Sequence, residues 1–196
     1  MFRYLLIVSL MLSLSACGTS PKTNFYVLNS DYEPPAQGDE GVSVGVLKAT
    51  LPVLLDRSEI VTREGQYKIE LADFHHWAGG LNDNLISLIT RELSQRLKSN
   101  RIYANPQRTN KKSDYQVKVF IIRFDGELGG EVALRGAWSL LSGQGEQELG
   151  REIFVLSTQA KGTSYSDMVA ALSDLAVQLS EKIANGITAQ EQSKSN

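Results

Sequence analysis

Apolar residues recur along the chain with two periods, which predict helices in some segments and strands in others. One helical stripe is formed by Leu81, Leu85, Leu88, Ile89, Leu93 and Leu97. A second stripe runs from Met168 to Ile183, after Ser164 and Asp167, which resemble a capping box, and before Asn185-Gly186, which predicts its end. Each segment therefore predicts an amphipathic helix that buries one stripe.

Short apolar or alternating segments between the helices predict strands. They are residues 25–28, 42–48, 59–63, 67–71, 115–124, 132–140 and 151–157. The segment 115–124 becomes apolar on both faces around residues 120–122, which is typical of a central strand. Trp138 shares the apolar face of the following strand and is predicted to be core. Short turns join the last three strands and predict an antiparallel meander.

The predicted strands occur in runs rather than in strict alternation with helices. This order predicts an α+β fold, with a mostly antiparallel sheet and two amphipathic helices packed on one face. One domain is expected over residues 25–189, without a repeat or a second domain, followed by a disordered tail over 190–196.

The N-terminus has the layout of a secretory signal. A short basic start ending at Arg3 precedes an apolar run over residues 4–14, which is shorter than the roughly 20 residues that a membrane-spanning helix needs. Leu14-Ser15-Ala16-Cys17 resembles the lipobox of bacterial lipoproteins. We expect cleavage of a signal peptide over residues 1–16 and a covalent diacylglycerol and N-acyl lipid on Cys17. The alternative is an ordinary secretory signal followed by a chance cysteine.

The residues after Cys17 predict where the protein is anchored. Gly18 stands where lipoproteins kept in the inner membrane typically carry Asp, so the outer membrane is expected, on its periplasmic face. Residues 17–24 form a polar, lipidated tether. At about 3.3 Å per residue, the seven residues from Gly18 span at most some 23 Å. The folded body is therefore expected close to the membrane.

Charge and cysteine content exclude some classes of protein. The chain has 20 basic and 22 acidic residues, and loss of residues 1–16 removes Arg3, which leaves 19 against 22 and a net charge of -3. This balance shows no nucleic-acid footprint. Cys17 is the only cysteine, so no disulfide forms within the chain.

A search for catalytic motifs finds no phosphate loop, nucleotide fingerprint, serine elbow or zinc-protease helix, so no enzyme is predicted. His75 and His76 are adjacent, and neighbours on a strand or helix point in different directions, so no metal site is predicted. Asp125 and Glu127 flank a turn and are either a solvated pair or paired carboxylates as in glycosidases. No cofactor is expected besides the lipid.

Two further features have alternative interpretations. The basic residues Arg108, Lys111 and Lys112 lie in a loop that is either solvated or in contact with anionic lipid headgroups. Trp77 follows polar residues and precedes Gly79-Gly80, so it is a candidate for a protein interface as well as for the core.

Three stretches together resemble the PqiC (YmbA) family of ABC-type transport auxiliary lipoproteins. The first is the lipobox with Phe25-Tyr26-Val27-Leu28 soon after it. The second is Leu51-Pro52 with Leu55-Asp56-Arg57 and Ile60-Val61-Thr62-Arg63, and the third is Phe74-His75-His76-Trp77-Ala78 before the first helix. The resemblance covers most of the mature chain, although Gly79-Gly80 replaces the Glu-Pro expected after Trp-Ala.

The resemblance implies a periplasmic, outer-membrane lipoprotein that is an accessory docking subunit. Its partners would be a periplasm-spanning MCE-domain protein, PqiB-like, and through it an inner-membrane component, in lipid transport that supports membrane integrity. The candidate interaction residues are Asp56, Arg57, Arg63, His75 and Trp77. A lipid-binding carrier is the alternative and needs an apolar cavity of several hundred Å³. A hydrolase is disfavoured, and a homo-oligomer stays open.

Overall fold

The computed structural model describes residues 21–31, 33, 41–104 and 113–195. Several sequence predictions lie outside the described residues. They are the signal peptide over 1–16, the lipidation site Cys17, the sorting residue Gly18 and the basic residues Arg108, Lys111 and Lys112.

Eight strands and two helices make up the described fold. The strands are β1 (Asn24–Tyr26), β2 (Val44–Val46), β3 (Glu59–Glu64), β4 (Lys68–Trp77), β5 (Ile102–Ala104), β6 (Tyr115–Gly126), β7 (Glu131–Ser142) and β8 (Glu148–Gln159). The helices are α1 (Leu81–Arg96) and α2 (Tyr165–Ser195). Strand β5 was not predicted, and β4 is longer than expected because it continues through both histidines to Trp77.

Strand β6 organises the sheet because both of its edges are used along its length. One edge pairs with β7, which in turn pairs with β8. The other edge pairs with β2 near the start of β6, with Thr50 opposite Phe120, and with β3 through Thr62 and Gly126. Strand β5 flanks β2, while β4 and then β1 flank β3.

The sheet is mixed, and the prediction of a mostly antiparallel sheet is wrong. Among the described strands, four of the seven pairings are parallel, namely β1–β4, β2–β5, β2–β6 and β3–β6. The physical reason is that β2 and β3 follow each other in the chain without pairing together, and each lies along the same edge of β6 instead. The predicted meander β6–β7–β8 is confirmed.

Both predicted amphipathic helices are confirmed. Helix α2 lies against β6, β7 and β8, helix α1 lies against β2 and β5, and the two helices contact each other. The predicted core residue Trp138 is buried beneath α2. Within the described part of the chain, neither helix is long and apolar enough to cross a bilayer.

Helix α2 does not stop at Asn185-Gly186, and the predicted disordered tail is wrong for residues 190–195, which are helical. Gly186 is a packing residue, since a Cβ there would lie 2.3 Å from Cη2 of Trp138. Beyond it, the Tyr115 hydroxyl donates a hydrogen bond to Glu191, and the Lys194 ammonium lies 4.3 Å from the centre of the Tyr115 ring. These contacts hold the last turns of α2 against β6.

The predicted capping box at the start of α2 is confirmed. The backbone N–H of Asp167 donates to Ser164 Oγ, and the backbone N–H of Ser164 donates to Asp167 Oδ2, each at 3.1 Å. The hydrogen bonds from Ser164 lower the pKa of the Asp167 carboxyl, because they favour its charged form.

Two buried asparagines attach the start of α1 to neighbouring segments. Asn82 Oδ1 accepts from the Ala49 N–H at 3.2 Å, and Asn82 Nδ2 donates to the Ala49 carbonyl at 2.7 Å. Asn84 Oδ1 accepts from the Leu28 N–H at 3.1 Å, while its Nδ2 donates to the Ala78 carbonyl at 2.7 Å. The helix therefore supplies side-chain partners for backbone groups that no strand satisfies.

Candidate interaction surface

The five residues implied by the family resemblance do not form one site. Asp56 and Arg57 lie in the loop before β3, where they line a small cleft of about 180 Å³ together with Lys48 and Gly79-Gly80. The Arg57 Nε atom is buried and has no hydrogen-bond partner among the described residues. This loop is therefore the one place where two of the predicted residues meet.

Trp77 is buried, with only 4% of its surface exposed. Its ring lies against Phe124, with 6.4 Å between ring centres, and its backbone N–H donates to the Ser58 carbonyl at 2.7 Å. The side chain is closed to a partner, so the specificity of the motif around Trp77 reflects folding. Its position at the end of a strand, rather than in a loop, is what the sequence interpretation missed.

His75 connects three elements of the fold. Its Nδ1 atom lies 2.7 Å from the Tyr26 hydroxyl of β1, and its ring stacks on Tyr165 of α2 with 3.8 Å between centres. Burial raises the pKa of the Tyr26 and Tyr165 hydroxyls. His76 turns elsewhere, with Nε2 3.0 Å from the Asp73 carbonyl. The described residues contain no group of three or more side chains placed to hold a metal.

Arg63 belongs to a buried ion-pair network at the end of β6. Its Nε donates to Asp125 Oδ1 at 2.7 Å, and Arg123 Nε donates to the same oxygen at 2.7 Å. The Asp125 side chain is 2% exposed. Glu127 accepts from the Gly65 N–H at 3.0 Å. The two carboxylates considered for catalysis are thus occupied in holding β3 and its turn against β6.

The face of β6–β8 opposite the helices carries a cluster that the sequence interpretation missed. The register places Phe120, Ala137 and Ile153 side by side across the three strands, and the next row contains Arg123, Arg135 and Val155. Four apolar side chains on this open face are exposed: Phe120 by 46%, Ile122 by 62%, Ile153 by 73% and Val155 by 66%. We call these four residues the open-face patch.

The prediction that this segment is a central strand is confirmed, since β6 pairs along both of its edges. Helices cover only one face of β6, however, and Phe120 and Ile122 are exposed on the other. The signal that could have revealed the patch lies in β8. There Ile153 and Val155 alternate with Phe154 and Leu156, so both faces of the strand are apolar. Because one layer of helices covers one face, the second apolar face needs another explanation.

Basic side chains lie in the two rows that border the row of Phe120 and Ile153. Lys118 and Arg151 lie in the row beside Phe120 and Ile153, and Arg135 lies between Arg123 and Val155. Lys118, Arg135 and Arg151 are exposed, and none of them forms an ion pair with another residue that the structure describes. Since the whole chain has a net charge of -2, this positive surface is a local feature.

A cleft of about 710 Å³ lies between the two helices, under the segment after β1. Its lining mixes charged residues with small and apolar ones, and includes Glu92, Arg96, Asp174 and Val169. A carrier for acyl chains needs a predominantly apolar cavity. The cleft therefore gives the carrier hypothesis little support.

Comparisons with known proteins agree with this architecture. The family of ABC-type transport auxiliary lipoprotein components matches residues 26–184. The crystal structure of an uncharacterized protein matches with a TM-score of 0.69 and 23% identity, over 85% of this chain and 99% of that one. Protein XCC0632 from Xanthomonas campestris, assigned to family DUF330, matches with a TM-score of 0.72 and 18% identity, over 88% of this chain and 99% of that one. No curated protein matches the chain in sequence.

The two structural likenesses show a shared fold, while the family match covers the chain from β1 through most of α2. The matched region contains the loop before β3 and the Trp77 segment before α1, which are two of the three stretches that carry the motif resemblance. The chain belongs to the family of ABC-type transport auxiliary lipoproteins, the PqiC-like family that its motifs predict.

Proposed function

We propose that the protein is anchored in the outer membrane by a lipid on Cys17 and that its folded body docks an MCE-domain protein of PqiB type. Through this periplasm-spanning partner it would be connected to an inner-membrane component and take part in lipid transport between the two membranes. Family membership supports the transport role. The open-face patch is the observation that carries the docking role.

The open-face patch has the composition of a protein interface. Soluble monomeric domains rarely leave large contiguous apolar patches in water. The patch lies on strands joined by long ladders, and the one register shift within it falls at Ile122 of β6. Arginine is enriched in interfaces, and Arg135 and Arg151 border the patch. These features support association with another protein.

A short tether adds to this mechanism. Strand β1 begins at Asn24, so only the six residues 18–23 separate the proposed lipid on Cys17 from the first strand. A domain held near the membrane raises the effective concentration of its partner there. An anchor and a docking surface together suffice for an accessory subunit that catalyses no reaction. The carboxylates of Asp125 and Glu127 already accept structural hydrogen bonds from Arg63 and Gly65, which supports this interpretation over a hydrolase.

Crosslinking in cells tests the proposal. A photocrosslinking amino acid replaces Ile153 on the open face, and the matched control replaces the exposed Gln178 on the outer face of α2. We expect position 153 to capture an MCE-domain protein and position 178 not to. Failure to recover such a protein from position 153, while the lipoprotein is folded and in the outer membrane, contradicts docking through the open-face patch, and failure from Arg57 as well contradicts docking altogether.

The anchor is tested separately with Cys17→Ser. The variant is expected to lose outer-membrane localisation and to keep the thermal unfolding midpoint of the natural chain, since Cys17 lies outside the folded domain predicted over 25–189. Membrane fractionation and circular dichroism measure the two properties. Retained anchoring in this variant would overturn the lipid-anchor part of the proposal.

A further inference from the structure

Strand β8 has a free edge beside the open-face patch. Among the described strands, β8 pairs with β7 alone, over a ladder that runs from Glu148 to Gln159. In an antiparallel ladder, every second residue of an edge strand directs its N–H and C=O away from its neighbour. The outer side of β8 therefore presents a row of backbone donors and acceptors that pair with water in the free protein.

The second half of this edge lacks the features that keep strands from associating. Natural edge strands are commonly protected by charged residues, proline or a bulge. The first half of β8 has such protection, with Arg151 and Glu152 and a register shift near Leu140 and Leu141 of β7. Residues 153–159 (IFVLSTQ) contain no charged residue, no proline and no glycine. The unprotected half is also the half that carries Ile153 and Val155.

Deepening the proposed docking function, on which this inference rests, we propose that the free edge of β8 binds an extended segment of a partner protein by strand addition. The added strand places apolar side chains opposite Ile153 and Val155 and a carboxylate opposite Arg151. Strand addition obtains affinity from main-chain hydrogen bonds and specificity from alternate side chains. The apolar side chains extend the open-face patch by one strand, at the usual spacing of about 4.8 Å.

Charge favours an acidic partner over a second copy of this chain. The open face presents Arg151 on the edge strand β8, Arg135 on β7 and Lys118 on β6, and none of them has a described ion-pair partner. A second copy that paired through the same edge would bring another Arg151 and Arg135 to the interface, and like charges oppose one another there. An acidic segment complements them. A lipid surface offers anions and apolar chains, but it has no strand to pair with the backbone row.

Peptide binding to the full lipidated chain in detergent tests the inference. The probe is the amidated peptide Thr-Val-Thr-Val-Thr-Glu-Thr with fluorescein on its N-terminus, which places its two valines opposite Val155 and Ile153 and its Glu opposite Arg151 when it runs antiparallel to β8. Binding is followed by fluorescence anisotropy and by amide hydrogen exchange of residues 153–159. We expect saturable binding and slower exchange of that segment. Ile153→Lys and Arg151→Glu should each weaken binding about tenfold or more, which is the effect of losing one central contact. Val53→Lys, at another exposed apolar residue, is the matched control and should leave binding unchanged.

A charge exchange makes the test specific. A probe with Lys in place of Glu should bind Arg151→Glu better than it binds the natural chain. Absence of binding, or binding that is indifferent to these substitutions, overturns strand addition. Two other results would also overturn it. One is that the chain forms a dimer and Ile153→Lys dissociates this dimer. The other is that the chain binds phosphatidylglycerol vesicles but not the peptide, and that the same substitutions abolish vesicle binding.

The docking function and the strand addition fail separately. If Ile153→Lys cells still yield the MCE-domain protein on crosslinking from Arg57, docking stands and strand addition at β8 is wrong. If the peptide binds as expected but no MCE-domain protein is captured from any position, strand addition stands and the identity of the partner is wrong.

Discussion

Arg63 of β3 donates from Nε to Oδ1 of Asp125 in β6 at 2.7 Å, next to the one backbone register pair that joins these strands, Thr62 with Gly126. The backbone contact between β3 and β6 is thus short among the described residues, and a buried ion pair reinforces it. Because β4 and β1 reach the rest of the sheet through β3, this pair secures a whole edge of the fold.

Removal of the shared carboxylate should therefore destabilise the protein. Asp125→Ala leaves Arg63 and Arg123 without their partner, and breaking a buried pair in this way costs about 3 kcal/mol. The midpoint of urea unfolding measures the change. Glu131→Gln is the matched control, because Glu131 is half exposed and lies 3.8 Å from Arg123, and its loss should cost less than about 1 kcal/mol. Equal effects of the two substitutions would contradict the role given to Asp125.

Asn82→Ala should weaken the attachment of α1 to the segment after β2. The substitution removes both hydrogen bonds to Ala49 and leaves that buried residue's N–H and C=O without their partner, which costs about 1–3 kcal/mol for each unsatisfied group. Chemical denaturation measures the loss. Ser87→Ala, at an exposed position of the same helix, should change stability by less than about 0.5 kcal/mol. An unaffected Asn82→Ala variant would show that water replaces the side chain.

Gly186→Ala tests whether packing outweighs helix propensity. In an open helix, alanine is more favourable than glycine by about 1 kcal/mol. Here the new Cβ would lie 2.3 Å from the Trp138 ring, and overpacking of this kind costs about 1–3 kcal/mol. We expect a lower thermal midpoint for Gly186→Ala and an unchanged or higher midpoint for the exposed neighbour Asn185→Ala. A more stable Gly186→Ala protein would mean that Trp138 moves aside freely.

The capping box predicts a pH dependence of stability. The pKa of Asp167 is lowered in the folded protein by its hydrogen bonds with Ser164, so the unfolded chain takes up this proton at higher pH than the folded one. The contribution of the carboxylate is complete above the unfolded pKa, near 3.9, and is lost as pH falls through the lower folded value. The difference in thermal midpoint between the natural chain and Asp167→Asn should therefore shrink below about pH 4. A difference that is constant from pH 6 to pH 2 would exclude the titration of Asp167 as its source.

Local signals were sufficient for the elements whose partners lie nearby in sequence. The stripe from Leu81 to Leu97 predicts α1, the pair Ser164 and Asp167 predicts the start of α2, and short turns predict the β6–β8 meander. Each of these predictions depends on residues a few positions apart or on strands that follow each other in the chain. Gly186 shows the limit of such signals, because Trp138, which decides its role, lies far away in the chain.

The candidate surface was harder to predict because exposure depends on how many layers cover a strand. The apolar residues 120–122 fit a strand buried on both faces as well as one with an exposed apolar face. Trp77 had the opposite ambiguity, since its polar neighbours suggested a surface while the ring packs on Phe124. The parallel pairing of β2 and β3 with β6 involves long crossovers, whose direction no local pattern specifies.

The position of β1 has a mechanical consequence. The first strand begins at Asn24, and the three residues of β1 pair in parallel with residues 75–77 at the sheet edge. Tension applied to the chain ahead of Asn24 would load these few hydrogen bonds in shear, and the contact between Tyr26 and His75 beside them would resist next. A pulling force on the N-terminal side would thus detach β1, which is held by three register pairs, before it disturbed the long ladders of β6–β8.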